Sequence, residues 1–330
     1  MTWEEIDWAS LGRLRERFLE GAPGTGPYWE TRGDLASYDF TYGERIGWKW
    51  DAVLEELQTR GWTPSDGVVL DWGCGSGIAG RRVVSRFGRG KITGLAVWDH
   101  SELARAFAAE TASREFPGLA VSDGAGLISE ETPIGLLVVS HVLNELAPAD
   151  LEELARLAAR SSAVLWTEPG SREVSRALGA IRDKWSQSFG VVAPCTHALP
   201  CPVLAPGDER HWCHHFAPPP PLIFADPNWV RFGQRAGIDL RSLPYSFIAL
   251  DRRWSGGEPG LSRVIGRPEH FKPYVRLLNC DPSGLHQLTA MKRGNPSLYK
   301  ELEKTKRPLV YRWSRQGDTI TSGEAFRPRS

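Results

Sequence analysis

One stretch constrains this chain more than any other: Val68-Val69-Leu70-Asp71-Trp72-Gly73-Cys74-Gly75-Ser76-Gly77. Three apolar residues end in an acid, glycines then recur at every second position, and Ile78 to Val84 reads as the start of a helix. That is a strand, a tight turn and a helix N-terminus, the opening unit of a nucleotide- or cofactor-binding α/β domain. Glycine allows positive φ and lets a ligand lie directly on the backbone. A turn that merely packs helix against strand carries the same glycines, so the triplet alone leaves the two readings level.

The order of the glycines narrows the ligand. A dinucleotide calls for G-x-G-x-x-G, with its pyrophosphate at the helix N-terminus. Here the third glycine comes one residue early and Asp71 precedes the turn. An acid there repels a pyrophosphate and suits a ligand with a cationic amino group. The D-x-G-x-G-x-G pattern resembles motif I of the class I S-adenosylmethionine (SAM)-dependent methyltransferases. The resemblance implies a cofactor site on Asp71, Gly73, Cys74, Gly75 and Gly77.

Later strands extend that reading. Ile92 to Asp99 is a strand ending in an acid, 22 residues past Gly77. That is close to the roughly 20 residues expected for a carboxylate that meets ribose hydroxyls. Asp99 can accept two such bonds, and His100 follows it. Ser101 is a helix N-cap. A third strand, Leu119 to Ser122, ends in Asp123, near where adenine contacts fall; a plain turn residue explains Asp123 equally well. Ile134 to Ser140 is a continuous apolar run, as in a sheet covered on both faces. Its end, Ser140-His141-Val142-Leu143-Asn144-Glu145-Leu146, resembles motif IV of the same enzymes, nearest the transferred methyl. Ser140 and His141 join the cofactor set. Asn144 and Glu145 are the acceptor-facing catalytic candidates, against the alternative that Asn144 caps the next helix and Glu145 is structural. Pro148 opens a helix to Arg160, and Ala163 to Thr167 is a fifth strand before Glu168-Pro169-Gly170.

Around this core the pattern changes. Residues 1–20 read as a helix with Leu11, Leu14 and Phe18 on one face, then a loop from Gly21 to Gly26. Tyr28 to Arg60 is aromatic and mostly helical, with Trp48, Val53, Leu54 and Leu57 as a core stripe and Gly61 as its stop. A helix from Arg172 to Trp185 carries Val174, Ala177, Leu178, Ile181 and Trp185 on one side. Ile238–Leu243 and Tyr245–Asp251 read as the closing hairpin of a seven-stranded sheet. Beyond Leu261 come short β-prone runs, Ser262–Gly266, Tyr274–Asn279 and His286–Met291. The expected fold is α/β: a Rossmann-like class I methyltransferase sheet with N-terminal helices, a cysteine-rich insertion and a small C-terminal β extension. The expected divisions are 1–62, 63–189, 190–225, 226–254 and 255–330.

Charge singles out the last of these. The net formal charge is zero, but residues 241–330 hold 17 Lys and Arg against 8 Asp and Glu. A basic tail on an acidic body points to a polyanion, or to nothing more than a solvated surface. No apolar run approaches the ~20 residues that span a bilayer. The acidic N-terminus lacks a leader pattern, so the expectation is a cytoplasmic monomer without a membrane partner.

Four cysteines, Cys195, Cys201, Cys213 and Cys280, are spaced C-x5-C-x11-C-x66-C. Zinc prefers C-x2–4-C knuckles, and an iron–sulfur cluster needs only four converging sulfurs. Spacing alone leaves those two level, and His197, His211, His214 and His215 keep mixed Cys/His zinc open. The blocks A-P-C-x-H-x-x-P-C-P, W-C-x-x-F and N-C-D-P-S-G look like the methyltransferase-like assembly factors of the mitochondrial small ribosomal subunit and their bacterial relatives. Asp71–Gly77, Ser140–Leu146 and the Glu-Pro-Gly strand end share in the match, over roughly residues 65–315. The resemblance implies a structural 4Fe–4S cluster on Cys195, Cys201, Cys213 and Cys280, with zinc as the alternative. It also implies a role on small-subunit rRNA, and a cluster that holds Cys280 would bring the basic tail, with Arg263, Arg267, Lys272, Arg276, Lys292 and Arg293, to the SAM cleft as a surface for rRNA phosphates. Three functions stay open: an rRNA methyltransferase, a non-catalytic SAM- and RNA-binding assembly factor, and a small-molecule methyltransferase with a zinc-stapled lid.

Overall fold

A computed structural model describes residues 1–20, 28–304 and 310–327; the expected loop from Gly21 to Gly26 and the side chain of Phe18 lie outside the described part. The chain divides into two compact units. Unit 1 comprises Met1–Leu54, Thr63–Glu168 and Pro218–Leu243, and unit 2 comprises Glu55–Trp62, Pro169–Ala217 and Pro244–Ser330. No helix among the described residues is long and apolar enough to cross a membrane.

Unit 1 is built on β1 (Gly67–Trp72), β2 (Ile92–Trp98), β3 (Ala120–Asp123), β4 (Ile134–Ser140) and β5 (Ser161–Pro169). They pair in parallel in the order β3-β2-β1-β4-β5. This is the mixed α/β, Rossmann-like architecture that the alternating strands and helices call for. The strand order reverses between β1 and β4, and past the carboxyl ends of two such strands is where open α/β sheets bind their ligands. The central strands are buried along their length, which is why they read as unbroken apolar runs. Ser101 caps the helix Glu102–Glu115 by accepting from the Ala104 amide at 3.3 Å.

The N-terminal region is helical in pieces. Trp8–Glu20 buries Leu11 and Leu14. Helix Arg32–Tyr38 runs through a π-turn at Asp39–Gly43 into Glu44–Thr59. In the last helix Trp48, Val53, Leu54 and Leu57 are buried as expected, and Trp50 with them. Gly61, at φ 73°, lets the chain turn away after it.

Unit 2 begins its strands with β6 (Gly190–Ala193), β7 (His215–Ala217) and β8 (Leu243–Asp251); β8 pairs with β7 and, antiparallel, with β6. The expected hairpin is absent. Residues 238–242 form a turn before β8, because the Asp239 carboxylate accepts from the Arg241 amide and the Asp239 carbonyl from Ser242. Helix Arg172–Trp185 also departs from its expected stripe: Leu178 is buried, Ala177 is exposed, and Arg182 is buried instead.

The tail forms β9 (Ser262–His270), β10 (Tyr274–Asp281), β11 (Gly284–Met291), β12 (Val310–Gln316) and β13 (Thr319–Ala325), with a helix Pro296–Lys304 between β11 and β12. These strands close into a barrel in the order β10-β11-β13-β12-β9. Val264, Val275, Leu277, Leu288, Ala290, Tyr311 and Ile320 fill it. Pro268 lies within β9, beside the register irregularity of its pairing with β10, where a missing amide hydrogen is tolerated.

Candidate functional site

The loop after β1 takes the shape its glycines dictate. Gly73, Gly75 and Gly77 all have positive φ, from 51° to 79°. At Gly77 a Cβ would stand 2.8 Å from Ala108 Cβ, so the helix Glu102–Glu115 packs directly on the bare backbone. The Cys74 amide donates to the Trp98 carbonyl at 2.9 Å, tying the loop to the end of β2. The Cys74 thiol is buried and its pKa is driven well above the ordinary value by that burial and by Asp99.

Asp99 bridges two loops. One oxygen accepts from the Gly75 amide at 3.0 Å and the other from the Ser101 amide at 2.9 Å. Each oxygen keeps a lone pair for a further donor. Asp71 is placed differently. It is fully buried, and one oxygen accepts from the Gly80 amide at 2.9 Å in the first turn of the helix Ile78–Phe87. Its other oxygen has no partner, and burial pushes its pKa up to about 7. Asp71 therefore supports the loop from beneath. His100 is exposed, edge-on to Trp98, which stacks on Trp72. Asp123 is exposed and pairs with Arg105 at 2.8 Å while accepting from the Ala125 amide, as a turn residue does.

The segment after β4 is held by a residue the sequence left as a strand end. Glu168, fully buried, accepts from the amides of Val142 and Leu143 at 3.1 Å each and from the Trp166 indole. Burial raises its pKa to about 7 despite those donors. His141 sits in the left-handed region at φ 57°, a strained conformation for a residue with a Cβ. Its Nε2 is 3.0 Å from Lys49 Nζ. Ser140 Oγ accepts from the Trp50 indole at 2.9 Å and lies 3.3 Å from His141 Nδ1. Burial drives both Lys49 and His141 well below their ordinary pKa values. The tautomer that fits has Nε2 accepting from Lys49 and Nδ1 protonated toward Ser140. Asn144 is exposed in a turn and does not cap the helix Pro148–Arg160, whose N-cap is Ala147. Glu145 has its pKa raised to about 7, first by burial and then by Asp99. It also raises the pKa values of Tyr28 and Tyr38, whose phenols are chiefly shifted by burial. Asp99, Glu145, Tyr28 and Tyr38 thus share one electrostatic neighbourhood. Trp50, Tyr28 and Tyr38 belong to the aromatic stretch read from sequence as core, and Lys49 was not singled out. No local pattern marks them, since they lie far from the glycine loop in sequence.

Unit 2 brings the four spaced cysteines together. Burial raises the pKa of Cys201 to about 12, and Cys195 adds to it. Cys213 is raised by burial, then by Cys195 and Cys201; Cys280 by burial, then by Cys195, Cys213 and Cys201. Cys201, Cys213 and Cys280 share an apolar cluster with Val203 and Ile265. Cys213 Sγ lies 3.6 Å from His215 Nε2, and Cys280 Sγ lies 3.8 Å from His197 Nε2. Among the described residues no three His, Cys, Asp or Glu side chains form a ready-made site for a metal ion.

Arginines hold the cysteine loop. Between β6 and β7 there is almost no regular structure, so its carbonyls need donors from elsewhere. Arg60 donates to the carbonyls of Val192, Pro194 and Cys195 at 2.8–3.0 Å. Arg182 donates to those of Leu199 and His197. Arg176 reaches Val203, Asp208 and His211, and Arg172 reaches Glu209. The Cys201 amide donates to Asp183 at 2.9 Å. Arg60 and Arg263 flank Glu56, which is 1% exposed. Burial and the paired charges compete there, and the Glu56 pKa ends below its usual value.

No curated protein matches the chain. Among solved structures, the N-methyltransferase NodS from Bradyrhizobium japonicum in complex with S-adenosyl-L-homocysteine is 11% identical with a TM-score of 0.40, over 73% of this chain and all of that one. Magnesium protoporphyrin IX methyltransferase from Synechocystis with bound SAH is 11% identical with a TM-score of 0.39, over 74% and all of that chain. Such slight likeness carries no argument about activity. The family model described as mitochondrial small ribosomal subunit Rsm22 matches residues 50–307, most of the chain and both units. The chain belongs to the Rsm22 family.

Proposed function

We propose that this methyltransferase-like protein binds SAM in unit 1, carries a structural 4Fe–4S cluster in unit 2, and acts on the small ribosomal subunit through its rRNA. The observation that carries the SAM reading is Asp99, clamped by the amides of Gly75 and Ser101 just past the carboxyl end of β2 with acceptor capacity to spare. Its two oxygens suit a pair of ribose hydroxyls, and the bare backbone from Gly73 to Gly77 suits a ligand laid along the loop. SAM would supply an electrophilic methyl group. The chain's part is then to orient an acceptor and exclude water. Glu145, with its raised pKa, can take a proton from an acceptor near neutral pH. Lys49, His141 and Glu168 fix the loop that presents Asn144 and Glu145.

The cysteine set fits a cluster by its chemistry. Four neighbouring thiols are a soft donor set, and burial makes Cys201, Cys213 and Cys280 costly to ionise without a metal. Burial lowers the Arg60 pKa and Cys195 opposes it, while at Arg182 Cys195 and Asp183 outweigh burial and the pKa rises; cations thus stand beside Cys195, where an anionic cluster would gain from them. Zinc shared with His197 or His215 is the alternative.

The family description names a ribosomal subunit, which favours a second reading: an assembly factor that binds SAM and RNA and transfers nothing. Tritiated SAM incubated with small-subunit assembly particles separates the two. Label in RNA supports the enzyme, and none across assembly stages leaves the assembly factor.

A further inference from the structure

We propose that one open half of the barrel's β10–β11 face binds single-stranded RNA by stacking its bases on Phe271 and Tyr274. This deepens the ribosomal reading and rests on it only for the source of the strand.

Topology comes first. In chain order the barrel strands are 1 to 5, and they close as 1-2-3-5-4. Strand 3 pairs with strand 5 in parallel, the other described pairs are antiparallel, and a helix joins strand 3 to strand 4. That is the five-stranded Greek-key barrel whose strand 2–3 face and adjoining loops take oligonucleotides or oligosaccharides. Here strands 2 and 3 are β10 and β11.

Side chains then divide the face. On β10, Val275, Leu277 and Asn279 point into the barrel, and Tyr274, Arg276, Leu278 and Cys280 point out. At one end Cys280, Leu278 and Leu285 are packed against Val203 and Leu204 of the cysteine block. At the other end the aromatics are partly open among the described residues. Phe271 is 38% exposed and Met291 42%, unusual for large apolar side chains. Phe271 stacks on Tyr274 with ring centroids 4.7 Å apart, and the Arg276 guanidinium lies 5.2 Å above the Phe271 ring. Around them stand Lys272, Lys292 and Arg293, gathered because the Lys292 amide donates to the Pro273 carbonyl at 2.9 Å. Glu269 stands among them and pairs with Arg276.

The chemistry selects the occupant. Flat aromatics stack on splayed bases, and duplex bases are already stacked on one another. A rim of cations matches a phosphate backbone and gives an uncharged oligosaccharide no advantage.

The test uses the full-length, metal-loaded protein and a labelled 12-nucleotide single-stranded RNA, its duplex, and a neutral oligosaccharide, with fluorescence anisotropy or competition as readout. The single strand should bind tightest, with affinity falling as salt rises. Phe271→Ala should weaken it about 5- to 100-fold, the range for one lost stacking partner. Arg293→Glu should flatten the salt dependence. Glu269→Gln should tighten binding about two- to fivefold by freeing Arg276, a gain that simple damage to the fold would not produce. Unchanged metal content and melting temperature confirm intact variants. Equal affinity for duplex, an indifferent Phe271→Ala, or weaker binding by Glu269→Gln would overturn the proposal. SAM affinity, measured on the same samples, reports separately on the function of unit 1.

Discussion

The glycine loop of unit 1 and the cysteine loop of unit 2 solve the same problem by opposite means. Both are irregular backbone that must hold polar groups in place. The glycine loop is held by carboxylates at the ends of β1 and β2: Asp71 accepts from the Gly80 amide and Asp99 from the Gly75 amide. The cysteine loop is held from outside, by arginines that donate to its carbonyls. Carboxylates pin amides in one and guanidinium groups pin carbonyls in the other. The lesson is that a ligand loop can be written locally in sequence, whereas a multi-thiol site needs a scaffold assembled from distant segments.

The largest expected break of this contrast is Cys280→Ser. It removes a thiol supplied from the barrel, and the protein should lose most of its bound metal and become protease-sensitive beyond Leu261. Metal analysis and mass-mapped proteolysis check this. SAM affinity should persist, because no residue of the glycine loop depends on that thiol.

Next comes Arg182→Ala. It strips two carbonyls of their donor and leaves Asp183 with the Cys201 amide but without its cation, at a cost of about 3–5 kcal/mol in urea unfolding. An exposed arginine such as Arg241 should tolerate Ala with little change in the unfolding midpoint.

Asp99→Ala sharpens the other side. It should weaken SAM by about 1–3 kcal/mol in calorimetry, with metal content unchanged. An unaltered affinity would place the ribose elsewhere.

The smallest effect is in pH. Asp71, Glu145 and Glu168 have folded-state pKa values raised to about 7, above ordinary carboxylates. Groups raised on folding bind more protons in the native state. Their contribution is full below about pH 4 and is lost as pH rises through about 7. Melting of the metal-free protein should therefore fall by several degrees from pH 5 to 8, and Glu168→Gln should flatten part of that slope.

Sequence carried unit 1 well because its signals are contiguous. Strand, glycines and helix lie within one stretch, and Ile134–Ser140 reads as a buried strand from its apolar run alone. It carried less where partners are remote. Arg60, Arg176 and Arg182 look like any surface arginine in sequence, and only the fold reveals the carbonyls they serve. Ile238–Leu243 has the composition of a strand, but Asp239 turns it. The tail showed β-prone runs without showing that β12 returns to pair with β9, which is what closes the barrel. Lys49 reads as a helix-surface cation, yet it is buried against His141.

The pairing of a SAM loop with a thiol-held cluster in one chain is tested most directly by the visible spectrum of anaerobically purified protein, taken with iron and zinc analysis. The account expects a brown protein with a broad charge-transfer band and about four irons per chain. A colourless protein holding one zinc, or no metal at all, would contradict it.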